Sequence, residues 1–231
     1  MNTKMAKNEL LNNMKLYVLI SSNIAIKTVQ ETARLVIEGG ADVIQLREKT
    51  MSDGDFISFA REICNIIEIC RGRRPPARQG RSGGFAPTLI INDRVNVAKE
   101  VNADGVHLGQ HDMGISEARD IIGNDKIIGI STHNIEQARQ AQKDGADYIA
   151  IGPIYHTETK VYEPPVGPGL IQEVAKEINI PFVAIGAITL DNLEEVLKAG
   201  ATSVAVCSAI ISSKNILSST KQFKNKLSIE V

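Results

Sequence analysis

Short apolar runs alternate with amphipathic stretches along nearly the whole chain. The runs are Leu16–Ile20, Val43–Leu46, Leu89–Ile91, Gly105–Leu108, Ile127–Ile130, Tyr148–Ile151, Phe182–Ile185 and Ser203–Val206. They are near-continuous rather than alternating, as expected of parallel strands covered on both faces. Between them, apolar residues recur at helical spacing. Val29, Ala33, Val36 and Ile37 form one stripe, Phe56, Phe59, Ile63, Ile66 and Cys70 a second, and Leu193, Val196 and Leu197 a third.

One helix-to-strand joint is used four times. Gly40-Ala41-Asp42, Asn102-Ala103-Asp104, Gly145-Ala146-Asp147 and Gly200-Ala201-Thr202 each close a helical stretch and open an apolar run. Glycine or asparagine at the junction suits the left-handed residue that ends a helix. Eight strand–helix units predict an α/β chain folded as a single (β/α)8 TIM barrel. A doubly wound open sheet would alternate similarly. Two stretches break the rhythm. Residues 1–13 are polar and form an N-terminal extension. Residues 71–87, RGRRPPARQGRSGGFAP, carry five arginines and no acid and are expected to be a flexible insertion on the face opposite the chemistry.

Composition narrows the function classes. The 231 residues are 43% hydrophobic, enough for a sizeable core. Lys+Arg total 26 and Asp+Glu 27, a net charge of −1, so no global field favours nucleic acid or a membrane surface. An anionic ligand must then be met by locally placed cations. Cys64, Cys70 and Cys207 form no CxxC pair, and the four histidines have no zinc-ligand spacing. The first 13 residues lack the apolar centre of a signal peptide, and no run approaches the ~20 residues of a membrane helix. A soluble, cytoplasmic protein is expected, with a homo-oligomer left open.

Barrel enzymes work at the C-terminal ends of their strands, and there the polar residues gather. The second run leads to Gln45-Leu46-Arg47-Glu48-Lys49, the third to Asn92-Asp93-Arg94, and the fourth carries His107 and leads to Gln110-His111-Asp112. The fifth ends in Ser131-Thr132-His133, the sixth in Thr157-Glu158-Thr159-Lys160, the seventh in Gly186-Ala187, and the eighth in Cys207-Ser208. Asp93 and Asp112, from adjacent strands, suit Mg²⁺, which takes one or two carboxylates plus phosphate oxygens. Asp93 could instead cap a helix. Arg47 and Lys49 could pair with Glu48 or another rim acid rather than with a ligand. Gly186 and Ser208 mark the place where barrels often bind a second phosphate. Two phosphate-like sites on one rim imply two phosphorylated substrates.

The strings QLREK (Gln45–Lys49), IIND (Ile90–Asp93), GVHLGQHD (Gly105–Asp112) and TETK (Thr157–Lys160) together resemble the thiamine-phosphate synthase family, over roughly Leu16 to Ile211. The resemblance implies a transferase that condenses hydroxymethylpyrimidine diphosphate with thiazole phosphate, or its carboxylated form. It implies Mg²⁺ on Asp93 and Asp112, and diphosphate on Arg47, Lys49, Asn92 and Lys160. It places Gln45, His107 and Ser131 around the aminopyrimidine. Thr157, Thr159, Gly186 and Ser208 fall around the thiazole phosphate, with Cys207 among the substrate-binding positions. Arg47, Lys49 and Lys160 are the implied catalytic cations. His107 could equally be a barrel-interior histidine with a structural hydrogen bond.

Two positions depart from the family pattern. Ala187 stands where a second glycine is usual, which would crowd the thiazole phosphate or demand a backbone angle alanine dislikes. His156 replaces proline or a small residue and is expected to face solvent. The alternatives are a thiazole tautomerase of the same superfamily, which needs neither the diphosphate cations nor the metal pair, or another phosphate-binding barrel enzyme.

Overall fold

The computed structural model describes residues 7, 10–72, 86–157 and 164–228. Eight parallel strands close in sequence order: β1 (Leu16–Ile20), β2 (Val43–Leu46), β3 (Thr88–Asn92), β4 (Gly105–Leu108), β5 (Ile127–Thr132), β6 (Tyr148–Ile151), β7 (Phe182–Ile185) and β8 (Val204–Val206). The barrel is therefore closed, and the open-sheet alternative falls. The helices between the strands are α1 (Val29–Glu38), α2 (Asp53–Gly72), α3 (Val95–Glu100), α4 (Ile115–Ile122), α5 (Ile135–Lys143), α6 (Gly167–Glu177) and α7 (Leu193–Lys198). A short α8 (Ser208–Ile211) and a final α9 (Ile216–Ser228) follow β8. Among the described residues no helix is long and apolar enough to cross a membrane.

Strand alternation sorts the side chains into two concentric sets. Val18, Ile44, Ile91, Val106, Ile128, Ile149 and Val204 face outward and pack with the helices. Tyr17, Leu19, Val43, Ile90, Ile127, Tyr148, Val183 and Ala205 fill the interior. This two-sided burial is the reason the strands read as unbroken apolar runs. Residues 11–14 add to the inner set. Leu11 and Met14 are buried against it, so the stretch read as a polar extension carries an apolar contact. Of the insertion read at 71–87, residues 71 and 72 end α2, residues 73–85 lie outside the described residues, and 86–87 lead into β3.

The repeated joint has a clear physical basis. Gly40, Asn102, Gly145 and Gly200 have φ of 93°, 52°, 90° and 108°, the left-handed conformation expected at each. The aspartates that follow tie neighbouring strands together. Asp42 accepts from Leu16 N at 2.8 Å, Asp104 from Leu89 N at 2.8 Å and Asp147 from Ile128 N at 2.8 Å. Each carboxylate thus satisfies an amide within the first two residues of the preceding strand. In the fourth joint, where threonine replaces aspartate, the Ser203 hydroxyl bonds the Met14 carbonyl instead.

Candidate active site

The C-terminal ends of the strands surround a cup that continues into the barrel interior. Gln45, Arg47, Asn92, His107, Ser131, Thr157, Gly186, Cys207 and Ser208 all border it. Its lower wall is apolar, built from Leu19, Ala150, Val183, Ile185 and Ala205. Gln45 and His107 lie within β2 and β4, as their apolar runs indicate, and Asn92 and Ser131, read as following their runs, lie within β3 and β5, so all four positions are held by the barrel ladder.

Beneath the mouth runs a line of hydrogen bonds. Gln45 Nε2 donates to Tyr17 Oη at 2.7 Å, and Tyr17 and Tyr148 hydroxyls are 2.9 Å apart. Tyr148 Oη lies 2.9 Å from His107 Nδ1, and His107 Nε2 lies 3.0 Å from Ser131 Oγ. His107 is therefore both an internally bonded residue and a lining residue of the cup. Burial holds both phenols well above their ordinary range, so they are neutral hydrogen-bonding groups.

The cations follow β2. Arg47 is half-buried and Lys49 exposed, and both border an outer cleft shared with His156, Thr157, Ala187 and Ser208. Glu48 between them turns away. It is buried, and its carboxylate accepts from Ser22 N at 2.6 Å and Ser22 Oγ at 2.7 Å. The alternative of charge pairing between Glu48 and its neighbours gives way to this anchoring of the β1–α1 loop. A further residue holds the segment: Arg94 Nη1 donates to Asp53 at 2.9 Å, and its guanidinium lies 5.3 Å from the Phe56 ring centre.

Asp93 has φ 60° and precedes α3, whose cap position is occupied by Arg94 without a side-chain cap bond. Helix capping is thus not the role of Asp93. Its carboxyl is pushed up to about 6, first by burial and then by the adjacent Asp112 carboxylate, to which it hydrogen-bonds. Lys49 and Arg47 oppose that shift, which places both cations within electrostatic reach of the pair. Asp112 is exposed and accepts from Gly109 N at 2.6 Å. Two adjacent carboxylates of this kind could hold a hard divalent cation. Among the described residues no group of three or more His, Cys, Asp or Glu converges.

On the far wall, Gly186 has φ 115°, and a Cβ there would stand 2.5 Å from Pro153 Cα. Only glycine lets the two loops approach so closely. Ala187 follows with φ 48°, the unfavourable angle expected there. His133, bonded through Nδ1 to Gly152 O at 2.5 Å, also borders the cup. Burial raises the Cys207 thiol to about 11, so it lines the cup as a neutral group. His156 is exposed, as expected. Thr159 and Lys160 lie outside the described residues. Tyr17, Tyr148 and Ser21 border the cup although sequence reasoning did not single them out. The tyrosines sit in apolar runs and read as core.

A family model described as thiamine monophosphate synthase matches residues 16–210. The chain is 46% identical to a thiamine-phosphate synthase of Halalkalibacterium halodurans over 87% of this chain and 89% of that protein. It is 38% identical to a thiamine-phosphate synthase of Clostridium novyi over 92% and 98% of the two chains. Among solved structures, thiamine phosphate pyrophosphorylase from Pyrococcus furiosus superposes with a TM-score of 0.81 at 31% identity, covering 94% of this chain and 97% of the other.

Proposed function

The chain belongs to the thiamine monophosphate synthase family, and from that premise we propose that its cup joins an aminopyrimidine, delivered as its diphosphate, to a thiazole phosphate. The products are thiamine phosphate and pyrophosphate. The observation that carries this reading is the placement of the Asp93–Asp112 pair within electrostatic reach of Arg47 and Lys49, at the mouth of a cup with neutral polar groups above an apolar wall.

The chemistry is a substitution at the exocyclic methylene of the pyrimidine. Its C–O bond to diphosphate breaks with both electrons leaving on oxygen. The ring-stabilised cation is then captured by the lone pair of the thiazole nitrogen, forming the new C–N bond. Arg47 and Lys49 lie where negative charge accumulates on the departing group, and Asn92 adds a neutral polar contact. Gln45, His107 and Ser131 hold the pyrimidine in the cup. The apolar wall of Leu19, Val183 and Ile185 excludes water that would otherwise trap the cation. Thr157, Gly186, Cys207 and Ser208 border the thiazole phosphate, and family resemblance adds Thr159 there and Lys160 to the diphosphate contacts. No protein nucleophile is required, which agrees with the neutral Cys207 thiol. Much of the rate enhancement comes from holding two substrates in register.

Asp93 and Asp112 would hold Mg²⁺, which when bound supplies positive charge that favours release of pyrophosphate. The decisive experiment incubates the purified chain with the two precursors, with and without EDTA, and measures thiamine phosphate and pyrophosphate together. Equimolar products that vanish with EDTA are expected. Turnover of the thiazole alone, unaffected by EDTA, would instead identify a tautomerase.

A further inference from the structure

The hydrogen-bonded line Gln45–Tyr17–Tyr148–His107–Ser131 has a direction, and that direction is set at one end. A hydroxyl carries one proton, so a buried hydroxyl with two neighbours that accepts from one satisfies its own proton by donating to the other. The Gln45 amide nitrogen, 2.7 Å from Tyr17 Oη, can only donate. In that sense of the chain Tyr17 accepts from Gln45 and gives its own proton to Tyr148, 2.9 Å away. Tyr148 in turn donates to His107 Nδ1 at 2.9 Å. A neutral imidazole with an accepting Nδ1 carries its proton on Nε2, 3.0 Å from Ser131 Oγ. Ser131 accepts that proton and keeps its own for the cup. At the other end, Gln45 keeps its carbonyl oxygen for the cup.

The sequence builds this line deliberately into a crowded place. Both phenols are buried to within 2% of complete. The Tyr148 ring occupies space that any side chain at residue 129 would fill, since a Cβ on Gly129 would lie 2.1 Å from Tyr148 Cζ. Buried hydroxyls without partners would be costly, and here the partners form one continuous path from β2 to β5.

We propose that Tyr17 is a positioning residue: acting through Tyr148, it fixes His107 as the Nε2–H tautomer, so that the cup offers an acceptor at Gln45 Oε1 and a donor at the Ser131 hydroxyl. This pattern selects between two heterocycles of nearly equal shape. A 4-aminopyrimidine brings an amino donor and an unprotonated ring nitrogen. Its 4-oxo counterpart brings a carbonyl acceptor and a ring N–H, the inverse pattern, which sets lone pair against lone pair and proton against proton. Tyr17 thus governs which pyrimidine is accepted through the groups at the two ends of the line. The ligand part rests on the proposed function; the tautomer part does not.

The test has two arms. Nitrogen-15 NMR of the ligand-free full chain, with labelled histidine and measured at pH 8, reads the position of the His107 proton. Wild type is expected to carry it on Nε2. Tyr17→Phe is expected to give a mixture of tautomers. Gln45→Glu, whose carboxylate can only accept, is expected to move the proton to Nδ1. A wild-type proton on Nδ1, or an unchanged tautomer in both variants, overturns the proposal. In the kinetic arm, the kcat/KM preference of wild type for the amino over the oxo pyrimidine diphosphate is expected to fall about tenfold or more in Tyr17→Phe. KM for the thiazole phosphate is expected to stay unchanged. An undiminished preference overturns the selectivity claim even where the tautomer shifts. A wild-type chain that forms no thiamine phosphate counts against the substrate reading alone, because the NMR arm needs no substrate.

Discussion

Arg94 Nη2 donates to the main-chain carbonyl of Glu48 at 3.1 Å, bridging the end of β3 to the loop that follows β2. The same nitrogen reaches the Lys49 carbonyl at 3.5 Å. The residue next to Asp93 thereby holds the segment that carries Arg47 and Lys49, and the carboxylate side of the mouth is braced against the cation side.

Replacing Arg94 by lysine keeps the charge but loses the planar fork that spans Asp53 and the two carbonyls. We expect KM for the pyrimidine diphosphate to rise about tenfold, corresponding to roughly 1.4 kcal/mol. KM for the thiazole phosphate should hardly change. Steady-state kinetics with each substrate varied in turn checks this, and equal effects on both would show that the bridge does not act on one substrate.

The Asp93 carboxyl, raised from 3.8 to about 6, implies a defined pH response. The folded chain retains this proton to higher pH than the unfolded chain. The metal-free fold therefore loses stability as pH rises from about 4 to about 6. Mg²⁺ needs both carboxylates ionised, so its affinity should fall roughly tenfold per pH unit below about 6, with proton uptake on release. Calorimetric Mg²⁺ titrations at pH 5 and 7.5, in two buffers of different ionisation heat, measure both. An affinity independent of pH across this range would remove Asp93 from the metal site.

Ala187→Gly relieves a left-handed alanine, worth about 1 kcal/mol, yet adds freedom to the unfolded chain of nearly the same size. Thermal stability should shift little. KM for the thiazole phosphate should fall several-fold as the methyl leaves the outer cleft. Gly186→Ala is the contrasting variant. Its Cβ would meet Pro153 Cα at 2.5 Å and Ile154 N at 2.7 Å, so loss of turnover together with a lower Tm is expected. A thermal melt and product assay on both variants separate the two effects.

Asp147 accepts from Ile128 N and pairs with Arg119 and Lys7, each at 2.7 to 2.8 Å. Asp147→Ala should destabilise the fold by roughly 2–3 kcal/mol, because a buried amide and two cations lose a charged partner. Urea unfolding gives the value. The residual activity per folded molecule should match wild type, since these groups sit at the end of the barrel remote from the cup.

The barrel was legible because burial on both faces leaves strands such as Ile127–Ile130 without polar gaps, and because left-handed helix ends select glycine or asparagine. The rim residues were legible as a group for a related reason: polar side chains that end buried strands need something to bind. What escaped was direction. Glu48 sits between two cations in the chain, but its buried carboxylate turns to Ser22. Asp93 looked capable of capping a helix, yet its positive φ places its carboxyl against Asp112 instead. Tyr17 and Tyr148 counted as apolar interior, and only the closed barrel brings their hydroxyls together from strands 131 residues apart. Pairing across a barrel axis has no signature in local spacing.

The three aspartate ties at Asp42, Asp104 and Asp147 keep the staves aligned from the end opposite the cup. Alignment and reactivity are thereby separated along the axis. The upper loops can diverge, lengthen or be exchanged for those of a related barrel while the base continues to hold register. A scaffold of this kind is suited to acquiring new chemistry by transplanting loops, with little need to rebuild the foundation for each new substrate.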